Sequence, residues 1–412
     1  MQDTEIFTLG LGLDGTPWFV EKVELNLATR RLDLHLNFRA GTRFIHPISG
    51  QLAPVHDTLQ KTWRHMNFFP YECHLHARVP RVKEAPRGVR LIPVPWARPD
   101  SGFTLLMEAW IVTLTRTTMA VMEVARLLDE YCQRLWRVVE HYVDTAHARA
   151  DRSDVKTLGL DEVCVRRGRE YLSVASTPAT TTTPARVLDV TEGRDTQAGQ
   201  SVIAFAQAHG AQISQAVLDM SPAYRKAVAE SLPQAAVSFD WFHVMAKAGE
   251  AVAEVRRREM ATSGALLKNT RYVWLTRSEH LSAARQEQQQ KLRRSGLATV
   301  RAWTRLEALR DIAAQPFEEA ERGLKWWCGW AMRSRIPAIQ KLVGTIRAHW
   351  DGIVNYLRTR VTNATAEALN GIIQTVKRKA RGYRTTRCFK TMILLVAGHL
   401  DLRLPNVIPA IR

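Results

Sequence analysis

The feature that most constrains the fold is an ordered block between residues 154 and 240. Three strand-like runs come first, VKTLGLD, YLSVAS and ARVLDV, with the turn TPATTTTP between the last two. Their connections are too short for helical crossovers, so the three strands are expected to be antiparallel. A helix over about 197–209, the strand AVLD, a helix over about 222–232 and the strand AVSFD follow. This order, strand–strand–strand–helix–strand–helix–strand, predicts one mixed α/β sheet.

The flanking regions have other periods. Residues 19–39 read as a hairpin, with Val23, Leu25 and Leu27 alternating, then Leu32, Leu34, Leu36 and Phe38. From there to about residue 100, Pro, His and Arg mix with short runs such as HLHARV and VRLIPV, which predicts a small loop-rich module with no long helix. After Ser101-Gly102, helical patterns cover 103–115, 119–129 and 132–143. A tight turn before the last of them suggests a helix-turn-helix. Gln133, Arg134 and Arg137 would lie on the first turns of its last helix, where base edges and phosphates are met. The competing reading is three ordinary core helices. Residues 244–350 carry almost no strand signal and read as a helical subdomain. There the charged run HLSAARQEQQQKLRR is expected to be a solvated face, and Trp326, Trp327 and Trp330 are expected in the core.

Charge narrows the class of partner. Lys plus Arg number 58 against 40 for Asp plus Glu, a net +18, which suits a polyanion such as nucleic acid. The bland alternative is a merely soluble basic protein. With 46% hydrophobic residues over 412 positions, a mainly disordered chain is excluded. The start, MQDTEIFTLG, lacks a basic region followed by a long apolar run, and MILLVAGHL is too short to span a bilayer. Cys73, Cys132, Cys164, Cys328 and Cys388 are scattered and form no CxxC, so no disulfide framework is expected and a cytoplasmic setting is.

Three acidic residues stand where a metal site could be built. Asp161 in LGLDE and Asp219 in AVLDMS each end a strand behind apolar residues, at the sheet edge where α/β proteins gather ligands. Glu367 lies in VTNATAEALNGIIQTVKRKARGYR, with Asn363 as N-cap and Leu369, Ile372, Ile373 and Val376 as an apolar stripe. Glu367, Gly371, Gln374 and Arg378 share the opposite face. Lys377, Arg378, Lys379, Arg381, Arg384, Arg387 and Lys390 follow as a basic tract. Three carboxylates can hold two divalent ions about 3.5–4 Å apart, one activating the attacking oxygen and the other stabilising the leaving oxygen. Magnesium or manganese prefers such oxygen ligands, and flanking cations neutralise DNA phosphates. Two alternatives stay open: Glu162 in place of Asp161, and Asp240, which also ends a strand, in place of Asp219.

The chain resembles the ISL-three family of bacterial insertion-sequence transposases along nearly its whole length. The matching segments include KTWRHMNFFPYECHLHARVPRV, VPWARPDSGFTLL, LGLDE, VLDMSPAY, FDWFHV, TRYVWL, HWDGI, TNATAEALNGIIQTVKRKARGYR and AGHLDLRL. The resemblance implies a multidomain α+β protein. An RNase H-like catalytic core would carry an all-helical insertion, preceded by a helix-turn-helix domain and a small N-terminal β-rich module. The implied domains are an N-terminal DNA-binding module over 1–100, the helix-turn-helix over 101–150, the core over 151–245 and 351–412, and the insertion over 246–350. It implies Asp161, Asp219 and Glu367 as a DDE triad holding two Mg2+ or Mn2+ ions, and Asp240 with His243 as a supporting motif. Asp240 could instead cap the helix opening at Trp241.

The implied function is binding of terminal inverted repeats in double-stranded DNA, strand cleavage and strand transfer, by a homodimer or larger assembly associated with the bacterial nucleoid. One departure matters. The cysteines of the family's zinc ribbon are absent, and His46, His56, Cys73, His74 and His76 match no standard four-ligand spacing, so no structural zinc is expected. That departure favours a rival reading, a domesticated DNA-binding protein that no longer cuts, which the intact acids oppose; a third reading is an RNase H-type nuclease without transposition.

Overall fold

A computed structural model describes residues 2–84, 88–117, 119–166 and 170–405. The chain divides into two compact units, one reaching Ala146 and taking in the chain from Asp401, the other His147–Leu400.

In the first unit, helix α1 (Asp3–Gly10) precedes β1 (Trp18–Asn26), β2 (Arg31–Phe38), β3 (Arg43–Ile45), β4 (Leu52–Phe68), β5 (Tyr71–Glu84) and β6 (Gly88–Leu91). The strands form one sheet in the order β1-β2-β5-β4-β3, with β6 also on β5. The expected hairpin is β1–β2, antiparallel, with Val23 opposite Leu34 and Leu25 opposite Leu32. Leu32, Leu34 and Leu36 turn inward onto Leu75, Trp18, Trp63 and Trp96. The stretch that follows is not loop-rich: β4 and β5 run for 17 and 14 residues. Their other face carries Thr62, Arg64, His74 and His76, and such polar residues dilute the alternation that a short window detects.

Helices α2 (Leu105–Thr117), α3 (Val121–Leu127) and α4 (Cys132–Ala148) complete this unit. The turn before α4 passes through Asp129 at φ 51°, a left-handed conformation that aspartate tolerates better than most residues. The fully buried Glu108 joins the helices. Its carboxylate accepts from the Arg98 guanidinium, from the Ser101 hydroxyl at 2.6 Å and from the Tyr142 hydroxyl at 3.1 Å. A buried carboxylate needs such partners.

The second unit is built on β7 (Thr157–Arg166), β8 (Glu170–Thr177), β9 (Arg186–Glu192), α5 (Thr196–Ala208), β10 (Gln215–Leu218), α6 (Pro222–Ser231) and β11 (Ala236–Phe239). The sheet order is β11-β10-β7-β8-β9. β7, β8 and β9 are antiparallel neighbours, while β10 is parallel to both β7 and β11. This is the mixed sheet that the element order predicts.

Helices account for the rest of the described chain. They are α7 (Trp241–Leu267), α8 (Arg271–Leu275), α9 (Ala283–Arg293), α10 (Ala298–Ile312), α11 (Phe317–Met332), α12 (Pro337–Ala348), α13 (Trp350–Thr359), α14 (Ala364–Lys379) and α15 (Thr386–Ala397). Trp327 is buried and donates to the Arg305 carbonyl, but Trp326 is 63% exposed and stacks on the half-buried Trp330. The core expectation therefore fails at Trp326, which falls on the outer face of α11. Helix α13 covers the edge strand β11. Asn355 donates to the Val237 carbonyl and the Ser238 hydroxyl, and a β-carbon at Gly352 would overlap the Phe239 ring. Covering an edge in this way protects it from adventitious pairing. Among the described residues, no helix is long and apolar enough to cross a membrane.

Candidate active site and nucleic-acid interface

Parallel pairing sets Leu218 of β10 opposite Leu160 of β7. The next residues, Asp219 and Asp161, therefore stand at neighbouring positions on strands about 4.8 Å apart. The Asp219 carboxylate accepts from the Ser221 N–H at 2.8 Å, which turns the chain into α6. Asp161 Oδ1 accepts from the Glu162 N–H at 2.7 Å. Burial pushes the Asp161 carboxyl above the ordinary carboxylate range; Asp219 adds to the rise, while the Glu162 N–H and His243 oppose it. Glu162 lies 3.5 Å from Arg194, which sits over the Tyr171 ring. Close by, the buried Tyr224 hydroxyl shares a 2.8 Å hydrogen bond with Ser173.

Helix α14 reaches this place through polar residues at seven-residue intervals. Asn363 abuts Gly159, where a β-carbon would lie 3.6 Å from its Oδ1. Asn370 Nδ2 donates to Asp161 Oδ2 at 2.8 Å. Lys377 Nζ donates to the Cys164 carbonyl at 2.7 Å. Seven residues advance a helix by about 10.5 Å, so α14 runs alongside β7. Asn370 escaped the sequence reading, although Asn363, Asn370 and Lys377 form a seven-residue polar series that could have marked it. Glu367 lies three residues before Asn370 and is exposed. It does not join the aspartates in one liganding group. Among the described residues, no three His, Cys, Asp or Glu side chains stand together so as to hold a metal ion. The expected apolar stripe is also narrower: Leu369 and Ile373 are buried, whereas Ile372, at its margin, is 43% exposed.

Asp240 is 4% exposed, and both of its oxygens are engaged. Oδ1 accepts from the Phe242 N–H at 3.0 Å and caps α7; Oδ2 accepts from the Asn363 N–H at 3.1 Å. This is the capping alternative. Asn363 occupies the N-cap position of α14, but its side chain makes no cap bond and lies buried without a hydrogen-bond partner among the described residues. His243, on the first turn of α7, is near enough to act on Asp161.

The expected DNA contacts divide in two. Gln133 and Arg137 are exposed on α4 one turn apart, whereas Arg134 is held within its own unit. Its guanidinium donates to Glu130 at 2.6 Å and to the Gly102 carbonyl at 3.3 Å, and stacks 4.2 Å from the Phe103 ring centroid. Lys377 is likewise occupied, while Arg378, Lys379, Arg381 and Arg384 are exposed. In the first unit, Cys73 is buried and its thiol is pushed up to about 12 by burial. His76 lies 2.6 Å from Asp33 and stacks on His35.

These features can be set beside known proteins. A sequence profile for the DDE domain of transposase family ISL3, described as a transposase, matches residues 158–393. A second, for the helix-turn-helix domain of transposase family ISL3, matches residues 92–143. The transposase for insertion sequence element IS1557 of Mycobacterium tuberculosis is 27% identical over 376 residues, covering 82% of each chain. The transposase for IS1001 of Bordetella parapertussis is 24% identical over 383 residues, covering 87% of this chain and 90% of that one. Among solved structures, the Drosophila P element transposase strand transfer complex aligns at 12% identity with a TM-score of 0.43, over 73% of this chain and 93% of that one. With the profile match spanning the sheet, the helical region and α14, this chain belongs to the ISL3 family of DDE transposases.

Proposed function

We propose that the protein binds the terminal inverted repeats of an insertion sequence and catalyses metal-dependent cleavage and transfer of DNA strands. The carrying observation is the pair Asp161 and Asp219 at adjoining strand positions, with α14 tied to Asp161 through Asn370. In this reading the β7–β11 sheet is an RNase H-like core, which its three antiparallel strands followed by two parallel ones support. Helices α7–α12 form the insertion, and α2–α4 hold the DNA ends.

The donor set fits hard divalent cations in kind. It offers carboxylate oxygens, and a cation would offset the burial and the neighbouring Asp219 charge that raise Asp161. Asp161, Asp219 and Glu367 would hold the ions, with Glu367 joining from the turn before Asn370. When bound, such ions supply activation of the attacking oxygen and stabilisation of the leaving one. Asn370 orients the Asp161 carboxylate, and Asp240 fixes the start of α14. The exposed cations Arg378, Lys379, Arg381 and Arg384 position the phosphates. In the first step a water oxygen bonds to the scissile phosphorus and the 3′ oxygen departs as a hydroxyl. In the second that 3′-hydroxyl attacks a target phosphorus in line, and the target's own 3′ oxygen leaves. Pairing two ends calls for at least a dimer.

The test is cleavage of end-containing duplex with magnesium or manganese by the wild type and by Asp161→Asn, Asp219→Asn and Glu367→Gln. Variants that bind but do not cut support the proposal. The exposed side chain of Glu367, outside any liganding group among the described residues, favours one rival, a DNA-binding protein that has lost catalysis; a wild type that binds ends and never cuts would establish it.

A further inference from the structure

A second basic site lies within the same unit on the outer side of β11. A hollow of about 490 Å³ is walled by α6, by Phe239 and by the corner between α12 and α13. Arg225 sits half-buried in it. Its Nη1 donates to His349 Nε2 at 3.2 Å, while His349 Nδ1 donates to the Thr345 carbonyl at 2.8 Å. Nε2 therefore presents a lone pair to the guanidinium, which also stands 5.7 Å from the Phe239 ring centroid. Among the described residues no carboxylate pairs with Arg225, so its charge is held in place by an imidazole and a ring and left without an anion.

Further features of the hollow favour an anion. Lys226 and Arg347 line it with exposed side chains, Lys226 lying 3.9 Å from Glu230 one turn along α6. It is also lined by the first residues of two ten-residue helices, Pro222 of α6 and Trp350 of α13, and helix N-termini attract negative charge. Asp351 is the one carboxylate on the wall, and it lies in the first turn of α13. A second hollow, of about 450 Å³, shares Val237, Asp351 and Gly352 with the first and extends to Arg358. The two make a groove with cations at both ends. That shape suits a linear polyanion better than an isolated phosphate.

We propose that this groove is a second DNA-backbone site, in which Arg225, Lys226 and Arg347 meet successive phosphates of a strand away from the acidic residues. The inference rests on the transposase reading, and the experiment separates the two. A short labelled duplex is titrated against the full-length protein over a range of salt. The comparison is with Arg225→Gln/Lys226→Gln/Arg347→Gln and with Lys226→Gln/Arg347→Gln, which touches only exposed side chains. Each lost phosphate contact flattens the slope of log K against log salt by about 0.9. The triple variant should therefore lose roughly 2–3 units of slope and the double variant roughly 2. Asp351→Asn should tighten binding. A wild type that binds duplex while both variants match its affinity and slope overturns the groove but leaves the transposase reading standing. A wild type that binds no duplex overturns both. Inorganic phosphate is the second probe, followed by calorimetry. If the variants lose phosphate binding yet hold duplex as the wild type does, the site takes free phosphate and the proposal fails.

Discussion

Replacing Asp240 with alanine separates a structural carboxylate from a catalytic one. Its two oxygens accept from the Phe242 N–H at 3.0 Å and the Asn363 N–H at 3.1 Å, and the residue is 4% exposed. Loss of the helix cap costs about 1 kcal/mol. Loss of a hydrogen bond to a buried charged group costs about 1.5–3 kcal/mol. Together these predict a loss of about 3 kcal/mol, which for a unit of this size lowers Tm by roughly 6–12 °C. Asp240→Asn keeps one acceptor and sets an amide N–H against the other donor, so it should cost about 1–2 kcal/mol. Thermal unfolding followed by circular dichroism measures both. Cleavage assayed well below each Tm should then survive in Asp240→Asn, because the side chain acts on backbone amides. An Asp240→Asn protein as stable as the wild type but unable to cut would refute the reasoning and make Asp240, rather than Asp219, the second acid.

Three other outcomes are expected. Burial raises the Asp189 carboxyl to about 6, against the opposing hydrogen bond from the Val190 N–H and the charges of Lys390, Arg152 and His209. The folded chain therefore keeps a proton that the unfolded chain has released. Stability falls as pH rises from about 4 to 6, by about 3 kcal/mol in all. Asp189→Asn should remove that slope and raise stability near neutral pH in urea titrations; an unchanged slope would count against it. Gly352→Ala should lose about 1–3 kcal/mol through overlap with the Phe239 ring, and equal urea midpoints would contradict that close approach. On α4, Arg137→Ala should weaken duplex binding at unchanged Tm, whereas Arg134→Ala should lower Tm by removing the contacts to Glu130 and Phe103; the reverse pattern would make Arg134 the DNA contact.

The core sheet was legible because its short strands are apolar on both faces, as in the adjacent Val187 and Leu188 or Ala216 and Val217, and because Pro222 and the TPATTTTP turn punctuate them. The helix-turn-helix was legible from its period. The long strands β4 and β5 were not, since one whole face of each is polar. At the candidate site, Asp219 could be read as a strand end, but Asp161 is not one, because β7 runs on to Arg166 once Glu162–Arg166 pair with β8, and Asn370 could not be read at all. Its role follows from the register of a helix against a strand 209 positions away. Charge was the least legible property. A sequence counts Lys377 and Arg134 as available cations, while the fold engages one with a backbone carbonyl and the other with Glu130.

The hydrogen bond from Asn363 to Asp240 also has a topological consequence. The chain leaves the sheet at Asp240 and, after an excursion of more than a hundred residues that ends with α13 laid back on β11, is pinched to 3.1 Å at Asn363. The entropy of closing such a loop grows only with the logarithm of its length. Lengthening or trimming the excursion far from its neck therefore adds little strain at the root, and related chains could carry cassettes of very different size there without shifting α14 along β7.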